Sequence, residues 1–153
     1  MSDMNSANDT AGSEAEPIRF DTKIAVLLRD DLAAWQELNV CSFLMSGIAA
    51  AHAETIGERY QDADGTLYPP MFRQPVVVLV GGKETLTAAH ARALARELEP
   101  AVYIHDMFGT GNDRDNRAAV RAVPRDQLDL VGLGVFGPRN AVDKIMKGAA
   151  KHP

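Results

Sequence analysis

Apolar residues gather along this chain in short strand-length runs, separated by stretches with helical period. The first run, residues 23–28 (KIAVLL), is rich in branched side chains and closes on the charged triplet Arg29-Asp30-Asp31, the signature of a buried central strand. From residue 32 to about 53, Leu38, Cys41, Phe43, Leu44, Met45, Ile48 and Ala51 recur at helical spacing, with Gly47 the one weak position. That spacing predicts a long helix buried on more than one face. Residues 61–70 (QDADGTLYPP) carry Asp-Gly and Pro-Pro punctuation and read as a loop or short hairpin. A second apolar strand follows at 75–80 (PVVVLV), and Gly81-Gly82 turns the chain into a helix over 84–97 on Leu86, Ala89, Ala93 and Leu94. A short strand at 101–104, a Gly-Thr-Gly turn and polar helix within 105–123, a strand at 128–135 and a helix at 139–150 complete the pattern. Alternating strands and helices predict an α/β sheet covered on both faces.

Size limits this to one domain, because 153 residues with 46% hydrophobic and 24% charged side chains suit a single ordinary core. Residues 1–17 hold Asp3, Asp9, Glu14 and Glu16 with almost nothing to bury, so they are expected to form a disordered tail ahead of a domain at 18–153. The net charge of −5 needs the same division: the tail carries four of the 21 acids and none of the 16 bases, leaving the body nearly neutral. A neutral body argues against nucleic-acid binding by bulk charge, although a local basic patch would still reach phosphates. No apolar run approaches the roughly 20 residues of a membrane span, and one cysteine, Cys41, fits a reducing compartment, so a cytoplasmic protein is expected.

Candidate chemistry lies at the strand ends, where open α/β sheets form their crevices. Arg29, Asp30 and Asp31 follow the first strand and His105 with Asp106 follow the third. If the two ends meet, Asp106 would serve as a general base and Arg29 would neutralise an anion; otherwise Arg29 pairs with Asp106 or Asp31 and orders loops. Trp35 and Phe43 on the first helix are suited to a pocket wall, a core or a dimer contact. Arg114, Arg117, Arg121 and Arg125 recur at intervals that form one helix stripe if Pro124 only ends it, suited to phosphates or to a solvated salt-bridged face with Asp113 and Asp115. The turn at Gly109-Thr110-Gly111-Asn112 could hold an anion. The histidines lack metal-ligand spacing, there is no P-loop, and Gly132-Leu133-Gly134 lacks the third glycine of a dinucleotide fingerprint, so no metal or cofactor is expected.

Three stretches, KIAVLLRDDL at 23–32, VYIHDMFGTG at 102–111 and LVGLGVFGPRNAVDKI at 130–145, resemble in order and spacing the peptidyl-tRNA hydrolase II proteins. RDDLAAWQELN, FRQPV, MFGTGNDRDNRAAV and DLVGLG are similar to an uncharacterised bacterial family of unknown function assigned to that fold. The resemblance implies a three-layer α/β/α sandwich with a four-stranded mixed sheet, and a homodimer. In the hydrolases the first helix opens on a glycine-lysine pair followed by a glutamine and a histidine on successive turns; here those positions are Leu38-Asn39, Phe43 and Ser46. Arg29, Asp31, Asp106 and Thr110 do match. An amide at Asn39 still hydrogen-bonds but supplies no charge. The expected function is therefore binding of a small polar or anionic ligand at the strand ends, through Arg29, Asp31, Asn39, His105, Asp106 and Thr110 with Arg117 and Arg121 nearby, without hydrolase activity. The alternatives are a hydrolase of peptidyl-tRNA or a related ester with Asp106 as base, or a structural or interaction protein.

Overall fold

A computed structural model describes residues 16–153. The tail expected over 1–17 falls, for residues 1–15, outside the described residues. Described elements are β1 (Thr22–Arg29), α1 (Ala34–Ala51), the hairpin β2 (Tyr60–Gln61) and β3 (Leu67–Tyr68), β4 (Val76–Gly81), α2 (Lys83–Ala95), β5 (Ala101–Ile104), α3 (Asp113–Arg121), β6 (Leu130–Pro138), α4 (Arg139–Ile145) and β7 (Ala150–Lys151).

Five strands form a mixed sheet in the order β5-β6-β1-β4-β7, with β1 and β4 parallel and the other neighbours antiparallel. The expected four-stranded sheet is corrected here, because β7 adds a fifth strand at the edge. It occupies the end of what the sequence pattern assigns to the last helix. That helix stops at Ile145, and Gly148 at φ 93° reverses the chain so that Ala150 and Lys151 pair with Val80 and Leu79. Two residues held by backbone bonds leave no hydrophobic period to read.

Alternate residues of β1 face opposite cores. Ala25 and Leu27 pack with Leu86, Ala89, Val142 and Ile145 of α2 and α4, while Val26 and Leu28 pack with Val40 and Leu44 of α1. The sheet thus has α1 on one face and α2 with α4 on the other. α1 lies close over β6 because glycine stands beneath it: a Cβ on Gly132 would come within 2.4 Å of Val40 Cγ1 and 2.8 Å of Leu44 Cδ1. The Gly-Leu-Gly of β6 is a packing device.

The expectation that α1 is buried on more than one face is also corrected. Only Val40, Leu44 and Ile48, one stripe at four-residue spacing, are fully covered, and Trp35, Leu38 and Phe43 remain exposed. Among the described residues no second helix lies beside α1 on this face to bury its other side. Cys41, expected to be buried, is only partly covered, and burial pushes its thiol pKa up. No helix among the described residues is long and apolar enough to cross a membrane.

Candidate functional site

The parallel strands β1 and β5 finish on the same side of the sheet, with the beginning of β6 between them, since Leu28 pairs with Gly132 and Ile104 with Leu130. The two sequence-named loci therefore do share one edge. What fills the space between them is Asp129. Arg29 Nε donates to Asp31 Oδ1 at 2.7 Å and Nη1 donates to Asp129 Oδ1 at 2.7 Å and to the Leu130 carbonyl at 3.4 Å. Lys83 Nζ stands 3.6 Å from the same Asp129 oxygen, and the Asp129 carbonyl accepts the His105 backbone N–H at 2.9 Å. Burial works against both charges, but the pairing outweighs it, holding Arg29 above its ordinary pKa and Asp129 below its own. Arg29 is well covered, its side chain only 11% exposed. Asp106 sits exposed in the 3₁₀ turn His105–Gly109 and makes no side-chain hydrogen bond among the described residues. The Arg29 guanidinium thus takes Asp31 and Asp129 as its carboxylates.

A second locus lies around the corner of β5. There Asn39 and Thr110, far apart in sequence, line one cavity of about 270 Å³ between α1, the turn after β5 and the start of α3. Its walls are aromatic: Trp35 meets Phe108 edge-on at 5.9 Å, Phe43 meets Tyr103 edge-on at 5.8 Å, and Tyr103 and Phe108 lie 5.2 Å apart. Asn39 Nδ2 donates to the Tyr103 hydroxyl at 3.4 Å. Tyr103 is 3% exposed, and burial pushes its phenol pKa up even though the Asn39 bond works the other way. The Thr110 hydroxyl faces the Met107 carbonyl at 2.9 Å and, more closely, Asn116 Oδ1; its one proton serves a single acceptor at a time. Asn112 caps α3 by accepting the Asp115 N–H at 2.8 Å, which fixes the turn against the helix.

The cavity continues past Phe43, Met107 and Asn116 into an open lobe of about 530 Å³ lined by Val120, Arg117 and Arg121. Arg117 Nε donates to Asp113 Oδ2 at 2.9 Å, one turn earlier on α3. α3 ends at Arg121, and Arg125 lies beyond it in the separate 3₁₀ turn Arg125–Gln127, so the four-arginine stripe is corrected to three. Pro124 stops the helix by removing an N–H that the next turn would need. Among the described residues no three His, Cys, Asp or Glu side chains converge as a metal site would.

Sequence reasoning missed Asp129, Tyr103, Phe108 and Asn116. Asp129 directly precedes β6, and its position as the first polar residue before an apolar run is the available signal. Asn112 with Asp115 is a legible cap pattern, which would have placed Asn116 on the first turn of α3.

No curated protein matches the chain. It is similar to the solved structure of a protein of unknown function from Agrobacterium tumefaciens strain C58, at 48% identity and TM-score 0.85, covering 88% of this chain and 100% of that one. Residues 22–153 match the family described as protein of unknown function (DUF2000), which takes in every strand and helix of the sheet. The chain belongs to the DUF2000 family.

Proposed function

We propose that this domain, in a peptidyl-tRNA hydrolase II-like fold, binds a small polar ligand in the cavity beside Asn39 and Thr110, and that it does so without hydrolysing it. The observation that carries this reading is that Asn39 and Thr110 line one aromatic-walled cavity, in which Tyr103 and Asn116 hold further hydrogen-bonding groups. Arg117 and Arg121 in the adjoining lobe suit an acidic extension of the ligand. Arg29, Asp31 and Asp129 form the edge that holds the neighbouring turn in place. The test is a titration with orthophosphate, acetate and acetamide, followed by the amide resonances of residues 107–116 and the Trp35 indole. Saturable shifts there, lost in Asn39→Ala, are expected; an unshifted spectrum at every concentration rejects the reading.

The hydrolase reading draws on the free Asp106 carboxylate at the end of β5, outside the lining of the cavity. Turnover of peptidyl-tRNA that vanishes in Asp106→Ala would replace binding with catalysis. A homodimer is the expected assembly, on the outward face of α1. Glu37 is the one charged residue of that helix and is bound to His152 at 2.9 Å, which leaves Leu38 exposed on an uncharged surface beside the cavity mouth. A sedimentation mass of one chain across the accessible concentration range would exclude it.

A further inference from the structure

We infer that the ligand of this cavity is a single flat conjugated ring bearing a primary amide or lactam edge. The inference rests on the binding reading above and deepens it. Three hydrogen-bonding groups on the cavity wall have capacity left over. The Tyr103 oxygen accepts from Asn39 Nδ2, but its own O–H has no acceptor among the described residues, although the side chain is 3% exposed. Among the described residues Asn39 Oδ1 accepts nothing and Asn116 Nδ2 donates to nothing, while Asn116 Oδ1 faces the Thr110 hydroxyl. The wall thus offers two donors and one acceptor. No fully buried side-chain nitrogen or oxygen among the described residues lacks a partner, and Asn39 and Asn116 are half-buried, so the spare capacity lies on the cavity wall where a ligand can take it up.

An amide or lactam edge is the complement of that set, with a carbonyl oxygen to accept from Tyr103 and Asn116 and an N–H to donate to Asn39. Its charge is right as well. The phenol of Tyr103 keeps its proton across the physiological range because burial raises its pKa, so it donates and does not repel the carbonyl. Much of the remaining wall is aromatic, and the one carboxylate on it, Asp113, is paired with Arg117. Trp35, 62% exposed, and Phe43, 48% exposed, present ring surface at the mouth, while Phe108 closes the side. Ring surface of this kind binds a conjugated ring in offset or edge-on contact. A cavity of about 270 Å³ has room for one ring at the amide-lined wall, and any acidic extension would lie in the adjoining lobe.

Nicotinamide carries both halves of the proposed ligand, pyridine carries the ring alone and acetamide the amide alone. Titrating the three into the full-length protein, with Trp35 and residues 107–116 as reporters, separates the contributions. Nicotinamide is expected to bind at least about tenfold more tightly than either half, and Tyr103→Phe to cost it about tenfold while leaving pyridine unchanged. Tyr103→Phe retains the buried ring, and an unchanged melting curve shows that the variant folds. Nicotinamide affinity that is insensitive to Tyr103→Phe, or matched by pyridine, overturns the amide edge. Acetamide binding as tightly as nicotinamide overturns the ring. If phosphate or acetate occupies the cavity and nicotinamide does not, this inference is wrong and the binding reading stands; if none of these probes shifts the reporters, both fall.

Discussion

Two regions at the same end of the sheet handle polar groups in opposite ways. At the β1 edge, Arg29, Asp31, Lys83 and Asp129 are charged and spend their capacity on one another, in contacts of 2.7 to 3.6 Å. In the cavity beyond β5 the one carboxylate, Asp113, is paired with Arg117, while Asn39, Tyr103 and Asn116 are neutral and keep a donor or acceptor open. Charge density therefore marks the part of this molecule that holds its loops together, and unspent hydrogen-bonding capacity marks the part suited to a ligand. The difference follows from desolvation. A charge placed at a strand end must find its counter-charge within the fold or remain costly, whereas a neutral amide on the wall of an open cavity can take up a ligand at small desolvation cost.

The contrast can be broken most severely at Arg29. Arg29→Ala leaves Asp129 partly covered without its guanidinium partner, and is expected to cost about 2 kcal/mol, lowering the melting temperature by roughly 4–8 °C. Asn39→Ala, which removes one long 3.4 Å bond, is expected to cost less than about 1 kcal/mol. Paired thermal or urea melts compare them; equal losses would erase the distinction between a structural edge and an open cavity.

Acid sharpens the same comparison. The folded pKa of Asp129 lies below its ordinary value of 3.8, so its pairing stabilises fully above that value and is lost as the pH falls through the lowered folded pKa. Melts of the native chain and Asp129→Asn should therefore differ most near neutrality and converge in strong acid. A gap that persists undiminished at the lowest pH would show that Asp129 acts through shape and not through charge.

How much of this was legible in the sequence depends on the kind of signal involved. Apolar runs gave away β1, β4, β5 and β6 because buried strands need them, and the helical period of residues 32–53 located α1 within two residues of either end. Which stripe of α1 is covered was not legible, since that depends on how many helices share its face of the sheet. The β7 pairing was hidden for a related reason: backbone bonds such as His152 N–H to the Val78 carbonyl at 3.0 Å need no particular side chain. At the edge, Arg29 and Asp31 could be paired by proximity, but Asp129 reaches Arg29 only through the β1–β6 register, across a hundred positions. In the cavity, Asn39 came to notice through resemblance, and Thr110 through both resemblance and its glycine turn. Tyr103 reads in the sequence as a core residue of a short strand, and nothing in its neighbours tells that its hydroxyl reaches Asn39.

Asp106 occupies an intermediate position, charged like the edge yet unbonded like the cavity. Asp106→Ala should change stability by less than about 0.5 kcal/mol, because an exposed carboxylate without a partner loses little when removed. A loss comparable to that of Arg29→Ala would move Asp106 into the charged edge.

The smallest expected effect belongs to the arginines of α3, where the two regions could still be confused. Arg117 stands 2.9 Å from Asp113 in a pair one helix turn apart, with side chains 62% and 83% exposed. Such a pair is worth about 0.3–0.5 kcal/mol and is screened by salt. Arg117→Ala combined with Arg121→Ala should therefore barely move the melting curve. If these two side chains tracked a nucleic-acid backbone, the double variant would also lower the slope of log affinity for tRNA against log salt by about two, one per lost phosphate contact. An unchanged slope is expected, because Asp113 and Asp115 on the same turn set two carboxylates among the arginines and repel a run of phosphates. A reduced slope would make α3 a phosphate-binding helix, and the lobe beside the cavity would then extend a nucleic-acid surface in place of receiving the tail of a small ligand.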